Sequence, residues 1–379
     1  MNISEILVHL GEEDKESWAR AVSPPIYQTS NFRFQTVAEY AAAMDNEKDI
    51  SIYTRGNNPT VRLLEKKLAA LQGTDDALVF ASGSAAIAAA VVSCVKQGDH
   101  VLYVENSYSW TDKLLNQTLS RFGVTCSMVN GGMLEDFQSA YQDNTTLVIL
   151  ESPSSMMFEI QDVAKIIPWA KSKGMMVVYD NSFGTIMNRK PVDLGADLVC
   201  HSATKFVGGH SDVVSGVVCG SNELIRKVFN EEYMTFGASI SPHAAWLLIR
   251  SLRTLQMRVA HSAKSARDVV SFLNSHDKVD VVHWPFLSTH PHHDLINSQF
   301  TLETPMFSFQ LKTQEDVDIR SFCESLKYFQ IGASWGGHES LIVPLLAFTA
   351  SSFPKNLVRM YVGFEDPQIL IEDLKQALS

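Results

Sequence analysis

The stretch ALVFASGSAAIAAAVVSCVKQGDHVLYV, residues 77–104, decides how this chain folds. Ala77–Phe80 is a short, wholly apolar run with the length of a buried strand. Ala85–Lys96 is long enough for a helix, and Gly98 closes it. His100–Val104 is a second apolar run. Strand, helix and strand in succession describe parallel strands joined by a crossover helix. Working outward, the alternation continues. A helix is expected over Thr111–Arg121, a strand over Leu147–Leu150, and a helix over Val163–Lys173, stopped by Gly174. Strands are expected over Met175–Tyr179 and Leu198–Cys200. The fold class is therefore α/β, a mostly parallel sheet with helices on both faces.

Beyond about Gly220 the pattern changes. Pro242 to Val270 reads as helix with a break near Arg258. Val279–Trp284, Met306–Leu311 and Leu357–Gly363 read as strands, and Asp316–Ser325 and Pro367–Leu378 as helices. The expected division is an N-terminal arm over residues 1–60, an α/β domain over 61–253 and a smaller α+β domain over 254–379. In the arm, Val22–Phe34 reads VSPPIYQTSNFRF. Its paired prolines exclude helix, so it is an extended segment that lies on a partner subunit or on its own chain. Asn58 then caps a helix that opens with Pro59, carries Leu64, Leu68 and Leu71 on one stripe, and stops at Gly73.

The chain has 379 residues, 45% hydrophobic and 19% charged, which excludes a disordered chain. Its net charge of −11, without a basic block, makes it a poor binder of nucleic acid or anionic membranes. The longest apolar runs, Ala85–Val92 and Leu341–Ala350, fall short of the roughly 20 residues that span a bilayer. Met1 to Arg20 has no apolar core, so no signal peptide is expected. Five scattered cysteines without a C-x-x-C pair suit a reduced, cytoplasmic compartment. His290-Pro291-His292-His293 reads as a solvated loop, and no metal is expected.

In sheets of this kind ligands bind outside the carboxyl ends of the strands. Four features fall there. Ser82-Gly83-Ser84 opens a helix, where backbone N–H groups and the helix N-terminus can meet an anion. Tyr108 follows the second strand. Asp180 ends the strand over Met175–Tyr179, and a carboxylate there needs a partner. Lys205 follows Leu198–Cys200, flanked by Ser202, Thr204 and Phe206, a setting that favours a nucleophilic amine. Each alone has an ordinary reading: a helix cap, a loop tyrosine, a turn acid, a surface lysine. Together they make an anion cradle, an aromatic, an acid and an amine at successive strand ends. Pyridoxal 5'-phosphate (PLP) needs that set.

Further motifs carry a resemblance. They are PPIYQTS (24–30), YTRGNNPT (53–60), SGS (82–84), ESP (151–153), DNS (180–182), HSATKF (201–206), LRTL (252–255) and SWGGHESL (334–341), with Tyr108 and Arg359. Over essentially its whole length the chain resembles the PLP-dependent Cys/Met-metabolism (transsulfuration) family of fold type I. The resemblance implies that Lys205 carries the cofactor and moves protons, that Asp180 partners the ring nitrogen, and that Tyr108 stacks on the ring and joins in catalysis. It implies Gly83, Ser84, Ser202 and Thr204 as phosphate ligands. Tyr53 and Arg55 correspond to a pair that reaches the phosphate of a neighbouring subunit. Arg359, with Ser334, corresponds to the site of the substrate α-carboxylate, and Trp335 to the pocket wall. A homotetramer, a dimer of dimers with active sites shared between subunits, is implied.

Three positions depart from the family pattern. Ser84 stands where many members have Met, Pro153-Ser154-Ser155 where many have Pro-x-Asn, and Trp335 in place of the usual Leu. The last two are similar to bacterial cystathionine β-lyases. The implied activity is cleavage of cystathionine, a small sulfur amino acid, to homocysteine, pyruvate and ammonia. A γ-lyase, γ-synthase or methionine γ-lyase type shares every cofactor residue and stays open. A catalytically silent PLP-fold binding protein is the alternative of a different class. Lys205, Asp180, Tyr108 and Arg359 occurring together speak against it.

Overall fold

The computed structural model describes residues 1–13, 16–188, 190–348 and 353–379. The larger sheet contains β1 (Asp76–Phe80), β2 (His100–Val104), β3 (Thr125–Val129), β4 (Thr145–Glu151), β5 (Met176–Asp180), β6 (Leu198–His201) and β7 (Gly216–Gly220). Their order is β1-β7-β6-β5-β4-β2-β3. Neighbours from β3 to β6 are parallel, and β7 runs antiparallel to both β6 and β1. Helices cover both faces. Ala77 and Val79 of β1 enter one core with Leu64, Leu68 and Leu248, while Leu78 and Phe80 enter another with Ala86, Ala90 and Val101. Two buried faces explain why these strands read as continuous apolar runs.

The second sheet is smaller. It contains β8 (Val279–His283), β9 (Met306–Leu311), β10 (Gln330–Ile331), β11 (Leu341–Pro344) and β12 (Leu357–Tyr361), in the order β10-β11-β12-β9-β8. Phe307, Phe309 and Met360 pack there against Val269, Phe322 and Leu374 of three helices.

Several elements differ from expectation. The helix after β1 begins at Gly83, because Ser82 caps it by accepting a hydrogen bond from the Ala85 amide at 3.1 Å. β3 and β7 were not anticipated, nor were β10 and β11. The break in the long helical stretch falls at Arg253-Thr254, between Pro242–Leu252 and Leu255–Asn274, and not near Arg258. Arg258 instead lies inside the second helix. Its guanidinium donates to the Phe206 carbonyl at 2.9 Å and the Ser251 carbonyl at 3.0 Å.

Residues 22–34 form no helix, but short helices Ile3–Val8 and Val37–Met44 flank them. The run is anchored on its own chain at its start. The Pro24 carbonyl accepts from the Trp246 indole at 2.9 Å, and the Tyr27 amide donates to Thr60 Oγ1 at 3.0 Å. Val37, Tyr40, Met44 and Tyr53 beyond it are exposed. The N-terminal helix is pinned by buried Lys67, which donates to the Ile6 carbonyl at 3.0 Å and pairs with Glu12 at 3.1 Å. Among the described residues no helix is long and apolar enough to cross a membrane.

Candidate active site

The chain leaves β6 in a tight turn. Lys205 N donates to the Ser202 carbonyl at 3.1 Å, and Gly209 N to the Lys205 carbonyl at 2.8 Å. This turn aims the Lys205 side chain at the second domain. Its Nζ donates to Ser334 Oγ at 2.5 Å and lies 5.2 Å from the centre of the Trp335 ring. Burial first, and then the Arg359 charge, bring the Lys205 pKa down to about 8, with Asp180 pulling the other way. A larger share of neutral amine at neutral pH follows.

Ser334 bridges two cationic groups. Its hydroxyl accepts from Lys205, and its carbonyl accepts from Arg359 Nη2 at 3.2 Å. Its φ is +80°, a left-handed conformation that costs a serine of order 1–3 kcal/mol. The two neighbours hold it there. Gly336, at φ +89°, lies flat on the lysine turn. A Cβ on it would approach the Lys205 carbonyl carbon to 2.8 Å and its Cα to 2.9 Å. The Trp335 ring meets the Phe206 ring edge-on at 5.1 Å. Arg359, on β12, has no ion pair among the described residues, and burial brings its pKa down to about 10. A half-buried guanidinium lacking a counter-ion carries a desolvation cost, and a carboxylate brought by a ligand relieves it.

Asp180 ends β5, in register with Glu151 of β4 on one side and Cys200 of β6 on the other. It accepts from the Ser182 amide at 2.9 Å, yet burial still raises its pKa. Glu151 is pushed up to about 8 by burial and then by the charge of Asp180. It accepts from the Tyr108 amide at 2.6 Å and from Ser155 Oγ at 2.8 Å. Tyr108 begins the helix Ser109–Lys113. It is 38% exposed, and its hydroxyl lies 3.5 Å from Ser84 Oγ.

The helix that starts at Gly83 faces the lysine turn. A Cβ on Gly83 would come within 2.9 Å of Ser202 Oγ, so the two turns close on each other only because residue 83 has no side chain. Thr204 is already engaged. Its hydroxyl donates to the Ser215 carbonyl at 3.1 Å and accepts from the Ser215 amide at 2.9 Å. Tyr53 and Arg55 sit on an exposed turn, with the Arg55 guanidinium 5.7 Å from the Tyr53 ring centre. Neither makes a hydrogen bond or ion pair with Lys205, Asp180 or Ser202 of the same chain.

The residues present fit PLP. A helix N-terminus with serine hydroxyls suits a phosphate, a half-buried carboxylate suits a protonated ring nitrogen, and a half-buried, partly neutral amine suits an aldehyde. Two residues of the site escaped the sequence reading. Glu151 lies in the ESP motif at residues 151–153, and its signal in the sequence is an acid closing an apolar run. Arg258 reads in the sequence only as a helix break. Its signal was a charged residue on the buried stripe with Leu255 and Val259. His290 and His292 face each other at 6.0 Å, and no group of three ligands suited to a metal ion occurs among the described residues.

The family model described as Cys/Met metabolism PLP-dependent enzyme matches residues 4–379. The chain belongs to that family. It is thus PLP-dependent, and its fold is that of the PLP-dependent transsulfuration enzymes. Cystathionine β-lyase of Lactococcus lactis is 35% identical over 94% of this chain and 94% of its own length. L-methionine γ-lyase of Fusobacterium nucleatum is 36% identical over 93% of this chain and 92% of its own. A solved structure from Campylobacter jejuni, described as an O-acetylhomoserine (thiol)-lyase, superposes with a TM-score of 0.94 at 27% identity. It covers 100% of both chains and carries N'-pyridoxyl-lysine-5'-monophosphate.

Proposed function

We propose that the chain is a carbon–sulfur β-lyase that cleaves cystathionine to homocysteine, pyruvate and ammonia. The observation that carries this reading is Trp335, stacked edge-on against Phe206 with its ring 5.2 Å from the Lys205 amine. It belongs to the Ser-Trp-Gly-Gly run that resembles β-lyases.

Lys205 and Asp180 would hold the cofactor, with Tyr108 against its ring and Gly83, Ser84, Ser202 and Thr204 at its phosphate. Thr204 serves through its main chain unless its hydroxyl leaves Ser215. When bound, PLP supplies an electron sink for charge developing at Cα. Arg359 and Ser334 take the substrate α-carboxylate, a charge-assisted contact that orients Cα toward Lys205. Lys205 removes the Cα proton as a neutral amine, and its lowered pKa favours that form. Ser334 Oγ orients the amine. With sulfur on Cβ, one deprotonation suffices, and Lys205 or Tyr108 delivers a proton to the departing thiolate. Asp180 would face the ring nitrogen, whose positive charge favours the ionised carboxylate.

Tyr53 and Arg55 are assigned to the phosphate of a neighbouring subunit, in a homotetramer of paired dimers. Their exposure in the single chain and the exposed apolar side chains around them support this. Residues 61–253 are read as the cofactor domain. Five free cysteines support a cytoplasmic setting. A γ-lyase is the second reading, favoured by the 36% identity to methionine γ-lyase. Mass identification of the keto acid separates the two. Pyruvate with homocysteine supports β-elimination, whereas 2-oxobutyrate with cysteine overturns it.

A further inference from the structure

We propose that Glu151 is a positioning residue for the reaction, holding Tyr108 in place through the Tyr108 main chain. The inference rests on the reading of Tyr108 as the residue against the cofactor ring.

The geometry is specific. Glu151 ends β4, one strand from Asp180, so its Cα is fixed by the sheet. From there Oε2 accepts from the Tyr108 amide at 2.6 Å, a short bond that ties the strand tip to the residue capping the helix Ser109–Lys113. Oε1 accepts from Ser155 Oγ at 2.8 Å. The loops that follow β4 and β2 are cross-tied nearby. The Ser155 amide donates to the Asn106 carbonyl at 2.8 Å, and Asn106 Nδ2 donates to Glu159 at 3.1 Å. Met156 holds a positive φ of +68°, unusual for its side chain, which these ties help to maintain.

The Tyr108 carbonyl accepts from the Thr111 amide at 2.8 Å, which ties it to its own helix, and Glu151 ties that helix start to the sheet. The Tyr108 ring is partly exposed, and its hydroxyl has one long contact, 3.5 Å to Ser84. The position of the ring therefore follows from its main chain, and Glu151 is the side chain that holds that main chain. A second carboxylate beside Asp180 is otherwise unfavourable, and burial plus the Asp180 charge raise its pKa. Its retention at this tip has a reason if it serves the tyrosine loop. Ser155 takes part in the same arrangement, which gives a use to one of the positions where this chain departs from its family's usual asparagine.

The test is a double-mutant cycle with two readouts: the dissociation constant for PLP, from titration of the cofactor-free protein, and kcat/KM of the loaded enzyme. Glu151→Ala is expected to lose about tenfold in kcat/KM and to weaken PLP binding several-fold, the effect of leaving the Tyr108 amide without its hydrogen-bond acceptor. In a Tyr108→Ala background the same change is expected to cost less than about twofold, because a residue acting through the ring loses its effect with the ring. Glu151→Gln keeps an oxygen for the Tyr108 amide and is expected to recover most of the alanine loss. If Glu151→Ala fails to fold, Ser155→Ala closes the cycle under the same criterion. Equal losses in both backgrounds overturn the inference and leave the site assignment standing. So does a glutamine variant as impaired as the alanine one. A Tyr108→Ala protein with unchanged PLP affinity and unchanged kcat/KM overturns the reading of Tyr108 and the inference with it.

Discussion

Gly336 and Gly98 form a matched pair on which the packing of the lysine turn can be tested. Both have φ of +89°. Around Gly98 a Cβ meets nothing within 4 Å, whereas at Gly336 it meets Lys205 main-chain atoms at 2.8 and 2.9 Å and the Phe206 amide at 2.9 Å. Alanine at either site carries the left-handed penalty of about 1–2 kcal/mol. At Gly336 the overlap is with backbone, which cannot swing aside, and overpacking adds about 1–3 kcal/mol. The expected cost is thus about 2–5 kcal/mol for Gly336→Ala against about 1–2 kcal/mol for Gly98→Ala. Chemical denaturation at matched protein and cofactor concentrations measures the difference. Function separates the two further. Relief at Gly336 must move the Lys205 turn by a fraction of an ångström, and the amine with it. A loss of about tenfold in kcat/KM, short of the roughly 10²-fold that a full 1 Å misplacement can cost, is expected there, and none at Gly98. Equal destabilisation, or a Gly336→Ala enzyme of full activity, refutes the reasoning.

Three further outcomes are expected. In the cofactor-free protein, labelling of Lys205 by PLP and borohydride should climb with pH and level off above about 8, because its lowered pKa makes the amine neutral there. Exposed lysines keep gaining reactivity toward about 10.4. Peptide mapping that puts the label on another lysine contradicts the assignment. Arg359→Ala should lose roughly 10²-fold or more in kcat/KM through the lost carboxylate contact while keeping bound cofactor. Loss of the cofactor along with activity counts against that role. Mixed oligomers of inactive Arg55→Ala and inactive Lys205→Ala chains should regain activity, and none in verified hetero-oligomers argues against a residue supplied in trans.

The strands that carry Ser82, Asp180 and Lys205 were legible because both of their faces are buried and each reads as an unbroken apolar run. β3 was not. Thr125–Val129 lies at the sheet edge with most of its residues partly or fully exposed, so no such run marks it. β7 is framed by glycines at both ends, which read as loop, although every residue of it is buried. The start of the helix at Gly83 was hidden by a glycine that belongs to the helix and not to the turn. In the site, the separate residues could be read from their strand ends, but the junction of Lys205, Ser334 and Arg359 could not. It joins two domains far apart in sequence and depends on a serine with positive φ, which no local pattern announces. Only the resemblance brought those three together.

The position of β7 bears on how the protein is made. β1, with Ser82 and Gly83 at its end, borders no other strand of the large sheet than β7, and Phe80 pairs there with Gly216. During synthesis the first strand therefore waits, its ladder unmade, until a segment far downstream has emerged. Between the two comes the lysine turn, which leads directly into that segment. The two turns can meet only after β7 has threaded beneath them, where a Cβ on Gly216 would strike the Ser82 carbonyl. A nascent chain that stops short of Gly220 thus carries the lysine and the acid but has no closed place for a phosphate. Capture of the cofactor becomes a late event in biogenesis, available only once β7 is in place between β1 and β6.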